Sequence, residues 1–294
     1  MMELFFLGTS AGLPSVNRGM PCIAFRYNGQ LLLFDIGECC QKELMKRSIG
    51  FGSIRNIFIS HLHLDHFLGI FGLIETLRLS TNISNETLNI YSPGNFEKLL
   101  INKWPFLNCI RLKDGFKVQF NGFYVKSFRV RHEKEAFGFV IKEDDTIKFY
   151  SQKAEKLGIK GKMYREILNK RKITIGKNEI KLEDISYVKK GRKVVYTGDT
   201  AFSENVVKEA MNANVLIHEA TFDESMQEEA IARKHSTVKD AAITAEKANV
   251  KNLVLTHLSS RYGKEDEEQL IKQARKYYKG NIIIAYDGLK LLVD

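Results

Sequence analysis

Short apolar runs separated by turn residues fill the first third of the chain: Glu3 to Leu7, Cys22 to Tyr27, Leu31 to Asp35 and Asn56 to Ser60. Bounded by Gly8, Asn28-Gly29 and Gly37, these runs predict β-strands, and Asn28-Gly29 predicts a tight hairpin. From Leu64 to Leu79 the period changes. Phe67, Ile70, Phe71, Ile74 and Leu77 recur at helical spacing, which predicts one helix with a single buried face. Strands are expected again near Leu88 to Tyr91, Lys117 to Phe120, Tyr124 to Val130 and Phe137 to Ile141. In the second half, Val194 to Asp199, Val215 to His218, Leu253 to His257 and Ile282 to Ala285 read as apolar strands, most of which close on a polar or ionisable residue. Helices are expected between them, near 203–212, 223–233, 237–248 and 264–278, with Thr237 and Asp240 spaced as a capping box. Strands and helices interleave in both halves. That pattern predicts an α/β four-layer αββα sandwich, two sheets face to face with helices outside, and ligands collecting where strands stop.

Residues 151–192 break the pattern. Their periodicity is weak, and between Lys153 and Lys181 there are ten Lys or Arg against only Glu155, Glu166 and Glu179. Much of the chain's formal charge of +10 therefore sits in one insertion. Such a stretch fits a polyanionic partner or a solvated surface excursion. At 294 residues and 44% hydrophobic, the chain can bury a large core. The four cysteines, Cys22, Cys39, Cys40 and Cys109, show neither CxxC spacing nor framework density, which argues against a disulfide scaffold and a cysteine zinc site. The start of the chain lacks a basic segment followed by a long apolar stretch, and no later window has the length of a membrane span. A soluble, cytoplasmic protein is expected.

The candidate chemistry lies at strand ends. His61-Leu-His63-Leu-Asp65-His66 puts four potential ligands into six positions directly after the apolar run Ile54 to Ile59. Imidazoles and a carboxylate suit zinc, with iron or manganese as substitutes. Alternating His61 and His63 can face one ion, while Asp65 and His66, on the first turn of the next helix, face a second. A two-metal centre needs further ligands, and His132, Asp199 and His257 each follow a predicted strand. Taken singly, a histidine at a strand end is more often a hydrogen-bonded surface group. As a set these residues complete a coordination sphere.

With His132, Asp199 in Thr197-Gly-Asp-Thr200 and His257, the motif at 61–66 resembles the metallo-β-lactamase superfamily over nearly the whole chain. Within it the chain is similar to the ribonuclease Z family, the endonucleases that trim the 3′ end of precursor tRNA. The similarity rests on Phe6-Leu-Gly-Thr-Ser-Ala-Gly12-Leu-Pro14, Asp35-Ile-Gly-Glu38, Ile217-His-Glu-Ala-Thr221, His235-Ser-Thr237 and Ser260-Arg-Tyr262. The resemblance implies one metallo-β-lactamase-fold domain over 1–294, with 151–192 as an inserted arm that grips the tRNA elbow. It implies two Zn2+ per subunit, His61, His63 and His132 on one, Asp65, His66 and His257 on the other, and Asp199 between them. A water between the ions would be the nucleophile, with Asp65 also accepting its proton. His235 is the candidate acid for the departing 3′ oxygen, oriented by Glu219, and His218 is expected to be structural. The family arm further implies a homodimer in which one subunit's arm presents tRNA to the partner's metals. Two features depart from the family pattern. Gly158-Ile-Lys-Gly161 has no Gly-Pro, and Pro14-Ser-Val-Asn-Arg18-Gly19 stands where the family has Pro-x-Lys-x-Arg-Asn. The competing readings are another hydrolase of this fold acting on a small phosphodiester, thioester or lactam, and an RNA-binding protein with structural zinc.

Overall fold

The computed structural model describes residues 1–80, 83, 86–100, 104–176 and 178–294. The basic stretch counted above includes Lys177, which lies outside the described residues. The chain forms two compact units, Met1–Lys142 with Arg192–Asp294, and Glu143–Gly191.

In the larger unit two seven-stranded sheets form the centre. The first runs, in spatial order, Lys290–Val293, Met2–Gly8, Cys22–Tyr27, Gln30–Phe34, Ile54–Phe58, Leu88–Ser92 and Leu107–Arg111. The second runs Asn281–Ile284, Asn252–Thr256, Val215–Glu219, Lys193–Tyr196, Phe137–Glu143, Phe123–Arg129 and Lys117–Phe120. Strand alternation sends one set of side chains inward, where Phe6, Phe25, Phe34, Phe58, Phe139, Ile217 and Val254 form the core between the sheets. Phe58 stacks on Phe34 and Tyr91 at centroid distances of 5.2 and 4.4 Å. The outer face of the first sheet packs Leu33, Ile57 and Ile90 against Leu44, Leu73 and Leu77 of the helices Cys40–Lys46 and Ile70–Ser80. On the second sheet, Val195, Leu216 and Leu253 meet Val206, Ala241 and Ala274 of the helices Glu204–Ala210, Val238–Lys247 and Glu267–Arg275. The αββα order expected from the interleaved pattern is what forms. Asn28 and Gly29 both take positive φ, 48° and 76°, as a two-residue hairpin between paired strands requires. Thr237 and Asp240 form the capping box that opens Val238–Lys247.

The expected single helix from 64 to 79 is two, Leu64–Phe67 and Ile70–Ser80. The break has a steric cause. The Gly69 amide donates to Ile36 O at 3.0 Å, and a Cβ at Gly69 would lie 2.0 Å from the Gly37 carbonyl oxygen, so the backbone leaves its helical ladder to dock on the 36–37 turn. Hydrophobic spacing carries no trace of such an approach. No helix among the described residues is long and apolar enough to cross a membrane.

The smaller unit, Glu143–Gly191, begins before the expected boundary at 151 because Thr146–Phe149 pairs antiparallel with Ser186–Lys189 and closes its base. A second pair, Lys172–Ile175 with Asn178–Lys181, and the helices Ser151–Lys156 and Met163–Lys170 surround Ala154, Ile159, Ile167, Ile180 and Ile185. All nine described Lys and Arg from 153 to 181 are exposed.

Candidate active site

Each predicted ligand stands where a strand ends. His61 and His63 follow Ile54–Phe58, His132 follows Phe123–Arg129, Asp199 follows Lys193–Tyr196, and His257 follows Asn252–Thr256. Asp65 and His66 lie on the short helix Leu64–Phe67 that leaves the first of these ends. His257 takes a left-handed φ of 57°, an uncommon conformation for a residue with a side chain and one often stored at functional sites. In Thr197-Gly-Asp, Gly198 has φ 58° and sits against Ser60, where a Cβ would come within 2.8 Å of the Ser60 Cβ.

The strand ends bring the candidates together in overlapping groups whose ligand atoms lie within 4.8 Å of one another: His61, His63, His132 and Asp199; Asp65, His66 and His257; and Asp199, His235 and His257. Asp199 joins the first two. Its Oδ2 lies 3.6 Å from His61 Nε2 and 3.4 Å from His66 Nε2, while Oδ1 lies 3.4 Å from His257 Nε2. Asp65 Oδ2 is 3.6 Å from both His66 Nε2 and His257 Nε2, and accepts from the Gly12 amide at 3.1 Å.

The outer hydrogen bonds decide which nitrogen of each ring faces inward. His66 Nδ1 meets Asp35 Oδ2 at 2.9 Å and His132 Nδ1 meets Lys234 O at 2.9 Å. Both partners only accept, so both Nδ1 atoms carry the proton. The Thr221 hydroxyl donates to Glu219 Oε2 at 2.7 Å and therefore accepts from His257 Nδ1 at 3.0 Å. Ser60 Oγ likewise donates to Asp35 Oδ2 at 2.9 Å and accepts from His61 Nδ1 at 3.0 Å. In four rings the bare Nε2 lone pair is thus aimed at the centre, while His63 offers Nδ1, 3.2 Å from His132 Nε2. This is the outer-layer arrangement that fixes metal-binding imidazoles.

Two buried atoms at this centre, His61 Nε2 and Asp199 Oδ1, have no hydrogen-bond partner, a costly condition unless a cation satisfies them. The charge balance agrees. Burial pushes the His66 imidazole down, but Asp199 and Asp35 outweigh it and hold it well above its ordinary value, so the carboxylates around this ring call for a positive charge, which a cation at Nε2 would supply in place of a second proton. Burial and the neighbouring His66 hold His61 well below its usual range. Burial raises the Asp199 carboxyl, yet His257, His66 and His61 keep it well below the carboxylate range. The donor set, its convergence and its unsatisfied atoms fit divalent metal.

His235 stands beside this cage. Its Nδ1 donates to Glu219 Oε1 at 2.8 Å and is 3.9 Å from Asp199 Oδ2. Burial opposes its positive charge, but Glu219, through its charge and hydrogen bond, lifts the imidazole to about 9. Glu219 is itself buried and accepts from the Thr200 amide at 2.8 Å. Burial raises that carboxyl, and His235 overcomes the effect and keeps it below the usual range. His218 belongs to none of these groups; it is fully buried, with Nδ1 against Glu219 O at 2.7 Å and Nε2 without a hydrogen-bond partner. The cage opens into a cleft of about 450 Å³ lined by His63, Asp65, His235 and His257, with Leu13, Arg233 and Arg261 also on its walls.

Residues 2–104 match the model of the anti-Pycsar protein Apyc1 family, and residues 178–258 match the β-lactamase superfamily domain. A ribonuclease Z of Archaeoglobus fulgidus is 43% identical over 305 residues, covering 100% of this chain and 98% of its own length. The chain belongs to the ribonuclease Z family. It is an endoribonuclease, a phosphodiester hydrolase with the metallo-β-lactamase fold. A ribonuclease Z of Myxococcus xanthus is 35% identical over 98% of this chain and 96% of its own length. Among solved structures, the short form of human tRNase Z is 27% identical with a TM-score of 0.69, each chain covered to 99%. The metallo-β-lactamase fold protein YhfI of Bacillus subtilis, 20% identical, reaches a TM-score of 0.74 over 99% of this chain and 98% of its own, which speaks to the fold alone.

Reading single residues along the sequence assigned no role to Asp35, Ser60, Tyr196 or Thr221, yet all four bond to the ligands or to their partners. Asp35 shares the ligands' signal, an ionisable residue at a strand end. A Ser, Thr or Tyr within or beside an apolar run gives none.

Proposed function

We propose that the protein removes the 3′ trailer from precursor tRNA, leaving a 3′ hydroxyl on the tRNA and a 5′ phosphate on the trailer. The observation that carries this reading is the convergent ligand cage with His235 and Glu219 at its edge, in a chain related to ribonuclease Z enzymes over its full length. His61, His63 and His132 would hold one ion, Asp65, His66 and His257 the other, with Asp199 shared. Two zinc ions so held, or manganese or iron(II) in their place, supply the Lewis acidity that makes water a nucleophile near neutral pH and offsets charge on the phosphorane oxygens. Asp65, which lines the cleft, would accept the proton that the attacking water gives up. An alkoxide leaves poorly, so His235 donates a proton to the departing 3′ oxygen. Glu219 holds that imidazole by Nδ1, keeps it charged and leaves Nε2 for the substrate. Arg233 and Arg261 bring positive charge to the cleft wall for the flanking phosphates.

The unit Glu143–Gly191 serves as the tRNA-gripping arm, its exposed Lys and Arg taking phosphates without reading sequence. The active form is a cytoplasmic homodimer. Incubation with a 3′-extended tRNA and zinc, with the product ends mapped, tests the reading. Cleavage after the discriminator nucleotide is expected. Folded, metal-loaded protein that leaves the RNA intact with zinc, manganese and iron(II) alike contradicts it.

A further inference from the structure

The Asp35 carboxylate is fully buried at the end of the strand Gln30–Phe34, in a left-handed backbone conformation with φ 54°. Its amide donates to Phe58 O at 2.8 Å, and its oxygens accept from four donors. Oδ1 takes the Ser60 amide at 2.7 Å. Oδ2 takes the Ser60 hydroxyl at 2.9 Å, His66 Nδ1 at 2.9 Å and the Tyr196 hydroxyl at 2.6 Å. Three of these donors come from Ser60 and His66, in the segment that follows the strand Ile54–Phe58 of the same sheet. Tyr196 alone comes from the opposite sheet. Its ring belongs to the core between the sheets, and its hydroxyl crosses to Asp35.

Asp35 sets two ring orientations at once, His66 directly and His61 through the Ser60 hydroxyl. A carboxylate that sets two ligands must itself be held against rotation. The Ser60 amide restrains Oδ1, and the Tyr196 hydroxyl makes the shortest of the bonds to Oδ2. Burial and the adjacent Asp35 push the Tyr196 phenol well above its ordinary value, so it stays a donor.

We propose that Tyr196 is a positioning residue for the metal centre: by donating to Asp35 from the second sheet, it fixes the carboxylate that presents Nε2 of His66 and His61 inward. The proposal rests on the two-ion reading of the cage. It assigns work to a residue that touches neither ion nor substrate, and it makes the packing of one sheet on the other part of the site's affinity.

Tyr196→Phe keeps the ring in place beside Phe34, 6.5 Å between centroids, and removes only the hydroxyl. Zinc affinity of the full chain, measured by competition with a chelator, is expected to weaken by about tenfold, in the range seen when an outer partner of a metal ligand is lost. The kcat at limiting zinc should fall with it and return at saturating zinc, with KM for RNA unmoved. Asp35→Asn should weaken zinc binding further, and Tyr196→Phe added to Asp35→Asn should cost nothing more, because both act through one carboxylate. Unchanged affinity in Tyr196→Phe, or effects that multiply in the double variant, would overturn the proposal. Should Asp35→Asn fail to fold, the Nδ1–H proton of His66 followed by NMR decides: faster exchange or loss in Tyr196→Phe is expected, and an unmoved resonance contradicts it. A wild-type chain binding fewer than two zinc ions refutes the cage reading itself. A wild type with both ions and an unmoved Tyr196→Phe refutes only the role of Tyr196.

Discussion

The metal cage and the Glu143–Gly191 unit solve opposite physical problems. In the cage, His61, His66, His132, Asp199 and His257 are buried, and each imidazole among them is fixed by an outward hydrogen bond. The smaller unit has a core of isoleucine, leucine and alanine, and keeps its described basic residues on the surface between 153 and 181 in water. Chemistry at a phosphodiester needs atoms placed to fractions of an ångström in a site poor in water. Holding a polyanion needs only charge at suitable spacing, and screening by salt governs it. The two regions should therefore fail differently when altered.

Asp65→Ala carries the largest expected effect. In the proposed mechanism it removes a ligand and the proton acceptor together, so turnover should fall by on the order of 10³-fold or more. tRNA binding, measured by fluorescence anisotropy, should be spared, and equal loss of binding would break the division of labour. His235→Ala should cost about 10²–10⁴-fold in kcat, the usual worth of a general acid. Glu219→Gln sharpens that assignment through pH. In the proposed acid role His235 acts while protonated, and against the effect of burial Glu219 lifts it to about 9, so without that charge the protonated form is lost at lower pH. The alkaline limb of kcat/KM should move down by ~1–2 pH units, within the shift an adjacent opposite charge produces. A limb that stays in place removes His235 from the acid role.

Smaller effects are expected in the other unit. Lys153, Lys160 and Lys162 are exposed, and changing all three to Ala should raise KM for tRNA while leaving kcat alone. The slope of log affinity against log salt should become shallower by ~2–3, about one per lost phosphate contact. An unchanged slope means these lysines meet no phosphate. Smallest is Thr237→Ala, which removes the capping box of Val238–Lys247 and should cost about 1 kcal/mol in urea unfolding.

How much was readable along the chain also differs between the regions. The residues that converge in the cage were legible because His and Asp at strand ends form a dense, chemically narrow pattern, and the capping box at Thr237 and Asp240 was legible because it depends on neighbours three residues apart. The split at Leu68-Gly69 was not, because its cause is a contact with Gly37 some thirty residues away. Asp35, Ser60 and Tyr196 act through partners distant in sequence, so their roles exist only after the sheets assemble. In Glu143–Gly191 the strands are four residues long and the helices no longer than eight, too short for a hydrophobic period to declare itself. Only its charge was conspicuous.

The division between chemistry and grip can be tested by excision. Gly191 N donates to Asp145 Oδ1 at 2.9 Å and Lys190 Nζ lies 2.8 Å from Asp145 Oδ2, so residues 146–189 can be replaced by a short glycine link without stretching the ends. The decisive measurement compares kcat/KM for a 3′-extended tRNA and for a small aryl phosphodiester in the intact and excised proteins, both metal-loaded. Small-diester hydrolysis is expected within about threefold of the intact protein and tRNA cleavage lower by on the order of 10²-fold or more, as follows when several phosphate contacts are lost. Full tRNA cleavage by the excised protein, or equal loss of both activities in a folded chain that still holds its metal, would contradict it.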